Sequence, residues 1–395
     1  MRFFHLSDLH IGLKLINRDL SEDQAYIFRQ IVQMAEREQP DALVIAGDIY
    51  DKAVPSAESV MLFDRFVSDL HRVLPKARIM MISGNHDSAP RVNVFRSLLE
   101  SQNVHMIGLP PQSPDEYIEK VTLTDDYGAV NFYLLPFVRP SMIRSVVGTD
   151  EDTGALTYDE AVRRLLQRES IDTSQRNVLV SHQFYVPAGS TPDEVDRMDS
   201  EIRTVGNIDE VKSDVLAPFD YAALGHIHKP MRAGGEYFRY CGTPLACSVS
   251  EAGQQKGILD VTLLDKGDVR ISVLPLTPMR EVKVLRGELE ELLRLSSDDY
   301  VSVTVTDPRD IDVIDMMDRL HHAFGHLLEI RRQTQRQLGD LEDYAAAERL
   351  SPIEMCQMFL GEADEEDEKI LKDVFNTVSA AGEEIPVPLP DSDKA

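Results

Sequence analysis

Ala42-Leu43-Val44-Ile45-Ala46-Gly47-Asp48-Ile49-Tyr50-Asp51 decides the fold. The five apolar residues read as a short strand, and Gly47-Asp48 bends the chain sharply where that strand ends. Residues 2–6 and 78–83 read the same way. Between these strands, residues 22–37 and 56–73 carry apolar side chains at helical spacing. In the second, Val60, Met61, Phe63, Phe66, Val67 and Leu70 form the stripe. Strand–helix–strand–helix alternation predicts a layered α/β core. Further apolar runs follow at 130–135, 178–181 and 221–224. After Lys229 the texture turns to strands at 237–241, 257–264 and 269–274, with Asp265-Lys266-Gly267 as a hairpin turn. Those late strands are expected to form a second sheet packed on the first.

Pro275, Pro278 and the change of pattern after Met279 mark a boundary. Residues 281–332 read strand, helix, strand, helix, strand, a small α+β unit. The expected division is 1–279, 280–335 and 336–395. In the last segment Ser351-Pro352-Ile353-Glu354 has the form of a capping box with Pro at the first helical position. Two short amphipathic helices are expected there, ahead of a Pro-rich end.

A chain of 395 residues suggests two or three domains. With 43% hydrophobic and 28% charged residues, global disorder and fibrous folds are excluded. No apolar run approaches the roughly 18 residues of a membrane span. The N-terminus is too polar for a signal peptide. Cys241, Cys247 and Cys356 are an odd number without metal-site spacing, which points to a reducing cytoplasm. The net charge of −27 does not exclude a nucleic-acid partner, because much of it sits in the tail. Residues 340–395 hold 16 acidic against 4 basic residues, whereas the first 100 hold 14 against 12. A binding face is a local property.

Five segments carry the chemistry: Asp8-x-His10, Gly47-Asp48-x-x-Asp51, Gly84-Asn85-His86-Asp87, Ser181-His182 and Gly225-His226-Ile227-His228. Each follows a strand candidate, and in a layered α/β fold the carboxyl ends of strands converge on one edge. Oxygen and imidazole donors without thiolate suit Mn, Mg, Zn or Fe. Two ions close together need a shared anionic bridge, and Asp48 is the best candidate. Singly, each segment has a plainer reading. An Asp-x-His is common, Asp48 or Asn85 can cap a turn, and His182 alone reads as a buried histidine. Five segments in order, each after a strand, outweigh those readings. His71, His105, His321, His322 and His326 follow no such pattern and read as surface or packing residues.

These motifs resemble those of the calcineurin-like metallophosphoesterases, in which Asn-His-Asp and His-x-His in this order are highly specific. The opening residues 2–12, residues 46–51 and 84–88, Leu135-Pro136-Phe137-Val138-Arg139-Pro140, residues 223–228 and Tyr240-Cys241-Gly242-Thr243-Pro244 resemble the SbcD nuclease family of bacteria. The resemblance implies a two-sheet αββα metallophosphoesterase sandwich, with a small α+β DNA-capping domain and C-terminal helices that bind a partner. It implies one metal on Asp8, His10, Asp48 and His228, and a second on Asp48, Asn85, His182 and His226. It makes His86 a catalytic residue facing the scissile phosphate, and the carboxylate of Asp87 beside it is expected to orient its ring. Asp51 stands where archaeal and eukaryotic relatives often have a histidine, and is left without a role. The implied activity is that of a nuclease using two Mn²⁺, with Mg²⁺ as a substitute. It comprises 3′→5′ exonuclease on duplex ends and endonuclease on single strands and hairpins, in DNA repair and recombination. ATP would act through SbcC, an ABC-type ATPase with a coiled coil, since no P-loop is evident here. A homodimer, formed through Val60, Met61, Phe63, Phe66 and Leu70 with Val94, Phe95, Leu98 and Leu99 of the next helix, would bring two sites to one DNA. The competing readings are a small-molecule phosphodiesterase on the same core and a non-catalytic scaffold.

Overall fold

The computed structural model describes residues 1–149, 156–187, 201, 209–307 and 312–333. Arg2–Leu6 lies inside a six-stranded sheet. The order is Val269–Pro275, Gly257–Leu263, Arg2–Leu6, Ala42–Ala46, Arg78–Ile82, Val104–Ile107. The last four strands run parallel. A second six-stranded sheet has the order Met231–Arg232, Phe238–Tyr240, Tyr221–Gly225, Arg176–His182, Gly128–Leu135, Glu119–Asp125. Its four inner strands are also parallel.

Side-chain alternation along the strands builds three packed layers. Phe3, Val44, Met80 and Ile82 face Phe132, Leu134, Val178 and Ala223 between the two sheets. Phe4, Leu6, Leu43 and Ile45 point the other way, onto helices Ser21–Glu38 and Ala57–Val73. Leu135, Leu179 and Leu224 point outward from the second sheet onto Ile143, Val162 and Leu165. The result is an αββα sandwich. Helix Ala57–Val73 starts where Ser56 Oγ accepts from the Ser59 amide (3.2 Å) and buries Ser59, Phe63, Phe66 and Leu70 at helical spacing. Phe66 stacks on Phe28, centroids 4.5 Å apart, tying the two helices. A phenylalanine buried this way contributes about 3–5 kcal/mol against truncation to alanine.

Of the three late strands, Phe238–Tyr240 joins the second sheet as expected and the other two do not. Gly257–Leu263 and Val269–Pro275 form the hairpin predicted around Asp265-Lys266-Gly267, but they join the first sheet, Phe3 pairing with Val261. Pairing with Arg2–Leu6 covers an edge that would otherwise stay open. The second sheet is built from the middle of the chain. Strand Glu119–Asp125 went unread because it is an edge strand that buries only Val121. Helix Tyr158–Arg168 went unread although Thr157 and Glu160 form a capping box ahead of buried Ala161, Val162, Leu165 and Leu166.

Val282–Gly287, Tyr300–Val305 and Leu327–Arg332 make a parallel three-stranded sheet. With helices Leu289–Leu292 and Val313–Ala323 it encloses its own core, including Leu292, Val303, Leu320 and Phe324. Tyr300 Oη donates to Asp23 at 2.7 Å and Arg280 pairs with the same carboxylate at 3.2 Å, anchoring this module on helix Ser21–Glu38. No described helix is long and apolar enough to cross a membrane. The expected C-terminal helices lie outside the described residues.

Candidate metal centre

The loops that leave the parallel strands of the two sheets are tied to one another. The Asp8 amide donates to the Gly47 carbonyl and the His10 amide to the Asp48 carbonyl, both at 3.0 Å. Across the sheets, the His226 amide donates to Asp8 Oδ1 (2.9 Å) and His182 Nδ1 sits 2.7 Å from the Ala46 carbonyl. This bending is costly. Asp8, His10, Asp48 and His226 all have positive φ, at 52°, 42°, 49° and 101°. Such backbone costs about 1–3 kcal/mol per residue and concentrates at functional sites. Glycine is required where chains touch. A Cβ at Gly84 would stand 2.1 Å from Asp48 Oδ1, and one at Gly47, whose φ is +86°, would stand 2.3 Å from His182 Nδ1.

All seven residues expected to hold metal come together, none more than 7% exposed. Asp8, His10 and His228 form one group whose donor atoms lie within 4.8 Å of one another, with His10 Nε2 3.1 Å from His228 Nε2. Asp8, Asp48 and His182 form a second such group. Asn85 Oδ1 stands 3.0 Å from His182 Nε2 and 2.8 Å from His226 Nδ1. Asp48 lies between them, its Oδ2 3.2 Å from His182 Nε2 and 3.7 Å from His10 Nε2. Burial pushes the Asp48 carboxyl up, but His182, His86 and His10 outweigh it and hold the group well below its usual range. Burial pulls the His182 ring down, and Asp48 more than offsets it, so that its pKa is pushed up to about 9. Burial keeps the His10 ring well below its ordinary value, leaving a neutral donor. Burial raises the Asp8 carboxyl against the pull of His182 and His228.

These residues fit divalent cations. Asp8 Oδ2 is buried without a hydrogen-bond partner, and two imidazole nitrogens meet head to head at His10 and His228. A cation satisfies both, where a proton satisfies one. The donors are oxygen and nitrogen, as hard or borderline ions require. Cys247 also approaches His228 and Glu251, but burial pushes its thiol well above the ordinary range, and Lys256 Nζ lies 2.6 Å from Glu251 Oε2. That group already holds a cation.

His86 lies beside His10, centroids 4.8 Å apart, and its donor atom also falls within 4.8 Å of those of His10 and Asp48. Its amide donates to Asp48 Oδ1 (2.9 Å). The expectation that Asp87 orients the His86 ring is corrected here. His86 Nδ1 is 2.9 Å from the Asp51 carbonyl. Asp87 instead accepts from the amides of Gly84 (2.9 Å), Tyr50 (2.9 Å) and Ile49 (3.0 Å), tying the second loop to the third. Amides that converge in this way bind a carboxylate more strongly than an imidazole at longer range would. Burial and nearby Asp48 still push the Asp87 carboxyl up to about 6. Asp51 thus acquires a part through a backbone atom, and its carboxylate lies 3.9 Å from His10 Nδ1.

Sequence reasoning missed three residues around His228. Glu201 Oε1 accepts from its amide (2.9 Å), Glu251 faces its ring, and Lys256 donates to its carbonyl (3.3 Å). It also gave no role to Phe137, whose ring lies parallel to His226 at 6.5 Å. The segment around Phe137 was singled out, whereas Glu201, Glu251 and Lys256 belong to no motif.

Residues 1–230 match the family model of the calcineurin-like phosphoesterases. Residues 275–363 match a model described as a type 5 capsule protein repressor C-terminal domain. Among curated proteins, the chain is 32% identical over 296 residues to the SbcD subunit of the nuclease SbcCD from Staphylococcus epidermidis, covering 74% of each. Among solved structures, a dimetal phosphatase from Danio rerio is 14% identical with a TM-score of 0.40, over 70% of this chain and 98% of that one. The protein TT1561 of Thermus thermophilus is 11% identical with a TM-score of 0.36, over 69% and 98%. The chain belongs to the calcineurin-like phosphoesterase family and, within it, to the SbcD group.

Proposed function

We propose that this chain is the nuclease subunit of an SbcCD-type complex, a Mn²⁺-dependent DNA phosphodiesterase. The observation that carries the reading is the position of Asp48, a buried carboxylate between two donor groups, within 3.7 Å of His10 on one side and 3.2 Å of His182 on the other. Asp8, His10, Asp48 and His228 would hold one ion, and Asp48, Asn85, His182 and His226 would hold the other. When bound, such a pair supplies Lewis acidity to a phosphate and makes water a competent nucleophile at neutral pH.

The chain's own residues do the rest. A carbonyl can only accept, so His86 Nδ1 carries its proton against Asp51. Nε2 is therefore the nitrogen available to substrate. Carrying a proton, it would donate to the departing 3′ oxygen as the phosphorus–oxygen bond breaks, while water attacks in line and gives up its own proton to solvent. Burial around Asp8, Asp48 and His182 excludes competing solvent.

The organisation that supports this activity is a phosphoesterase domain over 1–279, a DNA-capping domain over 280–335 and a partner-binding segment over 336–395. The segment grips SbcC, whose ATPase drives 3′→5′ exonuclease action on duplex ends. Hairpins and single strands are cut endonucleolytically. The expected dimer face is corrected in part: Phe63, Phe66 and Leu70 are buried in the core and Leu99 packs against it, which leaves Val60, Met61, Val94, Phe95 and Leu98, 63% exposed at Met61 and 72% at Phe95, as the face of a two-fold homodimer. Buried free thiols at Cys241 and Cys247 suit a reducing cytoplasm.

The deciding experiment compares hairpin DNA with bis-p-nitrophenyl phosphate, each with and without Mn²⁺. Mn²⁺-dependent cutting of the hairpin is expected. Turnover of the small ester with DNA left intact would assign a small-molecule phosphodiesterase. No turnover of either would leave only a scaffold.

A further inference from the structure

Behind His228, on its Nδ1 side, lies a charged pair sealed from solvent. Glu251 is 1% exposed and Lys256 6%. Lys256 Nζ shares its three N–H groups among four acceptors, Glu251 Oε2 (2.6 Å), Thr243 Oγ1 (2.8 Å), Gln254 Oε1 (3.0 Å) and the His228 carbonyl (3.3 Å). Thr243 Oγ1 donates to Glu251 Oε2 at 3.0 Å. The Cys247 amide and Ser248 Oγ each donate to Glu251 Oε1 at 3.2 Å. That same Oε1 faces His228 Nδ1 at 3.7 Å.

Burying a carboxylate and an ammonium costs several kcal/mol per ion, and a well-packed apolar pair is often at least as stable. Stability alone therefore does not account for these two residues. Their geometry does. Glu251 Oε2 is used by Lys256 and Thr243, while Oε1 is held by two donors and turned to the imidazole. The opposite ring nitrogen, Nε2, meets His10 Nε2 in the Asp8 group. The His228 peptide is clamped too, its carbonyl accepting from the Thr243 amide (3.2 Å) and its amide bonded to Glu201.

We infer that Glu251 is a positioning residue for His228, fixing the ring with Nδ1 toward its own carboxylate and Nε2 toward Asp8 and His10, while Lys256 holds that carboxylate in place. This rests on the reading of His228 as a metal ligand. A carboxylate behind a ligating histidine sets the ring orientation and raises its basicity, and its loss weakens metal binding about 10–100-fold.

The test titrates metal-free full-length protein with Mn²⁺ by calorimetry and records a melting curve of each metal-free variant. His228→Ala is the control and is expected to lose one of two ions. Glu251→Gln/Lys256→Met removes both charges together, so that no lone ion is buried. It is expected to melt near the parent and to bind one ion normally and the other about 10–100-fold more weakly. The visible absorption of a Co²⁺-loaded sample should shift, reporting altered ligand geometry. Two ions bound with parental affinity by the double variant, while His228→Ala loses one, would overturn the inference and leave His228 a ligand. Retention of both ions by His228→Ala would instead overturn the ligand reading beneath it. If the double variant melts far below the parent, Glu251→Asp decides. It keeps the charge for Lys256 but shortens the reach to Nδ1, and parental affinity there would also overturn the inference.

Discussion

Asp48→Asn removes one charge and almost no volume. In the parent, Oδ1 accepts from the His86 amide at 2.9 Å, and an asparagine oxygen can do the same. The lost interaction is therefore electrostatic. Two unit charges 4 Å apart at an effective dielectric constant of about 20 interact by about 4 kcal/mol. Counting only one unit of a divalent ion's charge, this corresponds to about a thousandfold in affinity, since about 1.4 kcal/mol is tenfold. At least one ion should be lost, and nuclease activity with it. The metal-free fold should survive, because the His182 ring, which Asp48 keeps protonated, goes neutral when the carboxylate goes, and the His10 ring is neutral already. Elemental analysis after gel filtration, a Mn²⁺ titration and a melting curve measure the three quantities. Two ions per chain with parental affinity would refute the bridge.

Other substitutions separate catalyst, interface and scaffold. His86→Ala should keep both ions and bind DNA, yet cut about 10²–10⁴-fold more slowly; loss of metal in its binding titration would make His86 a ligand. Phe95→Glu places a charge on a ring that is 72% exposed, and should convert a dimer to a monomer by light scattering at micromolar concentration while the melting curve stays unchanged. Asp125→Asn tests the scaffold, because Arg176 is buried and its Nη1 reaches Asp125 Oδ2 at 3.1 Å. Burial raises the Asp125 carboxyl, but its bonds to Arg176 and neighbouring groups hold it below the usual range. The stability it contributes is thus full above the unfolded carboxylate pKa of about 3.9 and falls away as pH drops through the folded value. Asp125→Asn should lose about 3 kcal/mol at neutral pH and show a shallower loss below pH ~4; parallel acid-unfolding curves would refute the assignment.

What the sequence disclosed follows from how tightly chemistry restricts it. A ligand must be one of a few residue types, and a layered α/β fold offers such residues a place at the carboxyl ends of parallel strands. Asp8, Asp48, Asn85, His182 and His226 were therefore legible beside apolar runs that fold as strands. Strand partners were less legible. Gly257–Leu263 returns to pair with Arg2–Leu6 from more than two hundred residues away, and no local pattern specifies which open edge a hairpin meets. Asp87 was misread because adjacency to His86 in sequence suggested contact in space, whereas its carboxylate turns back onto the amides of Gly84, Tyr50 and Ile49. The atom that does hold His86 is the Asp51 carbonyl, which any residue at that position supplies. Glu251 and Lys256 mark the same limit from the other side. Their types are among the commonest on protein surfaces, Glu251 sits in the short turn Val249–Glu251, and only their burial against His228 separates them from solvated charges. Residues that touch the reaction are constrained in identity, and those that hold them are constrained only in position, which is why the second group needs a structure to be seen.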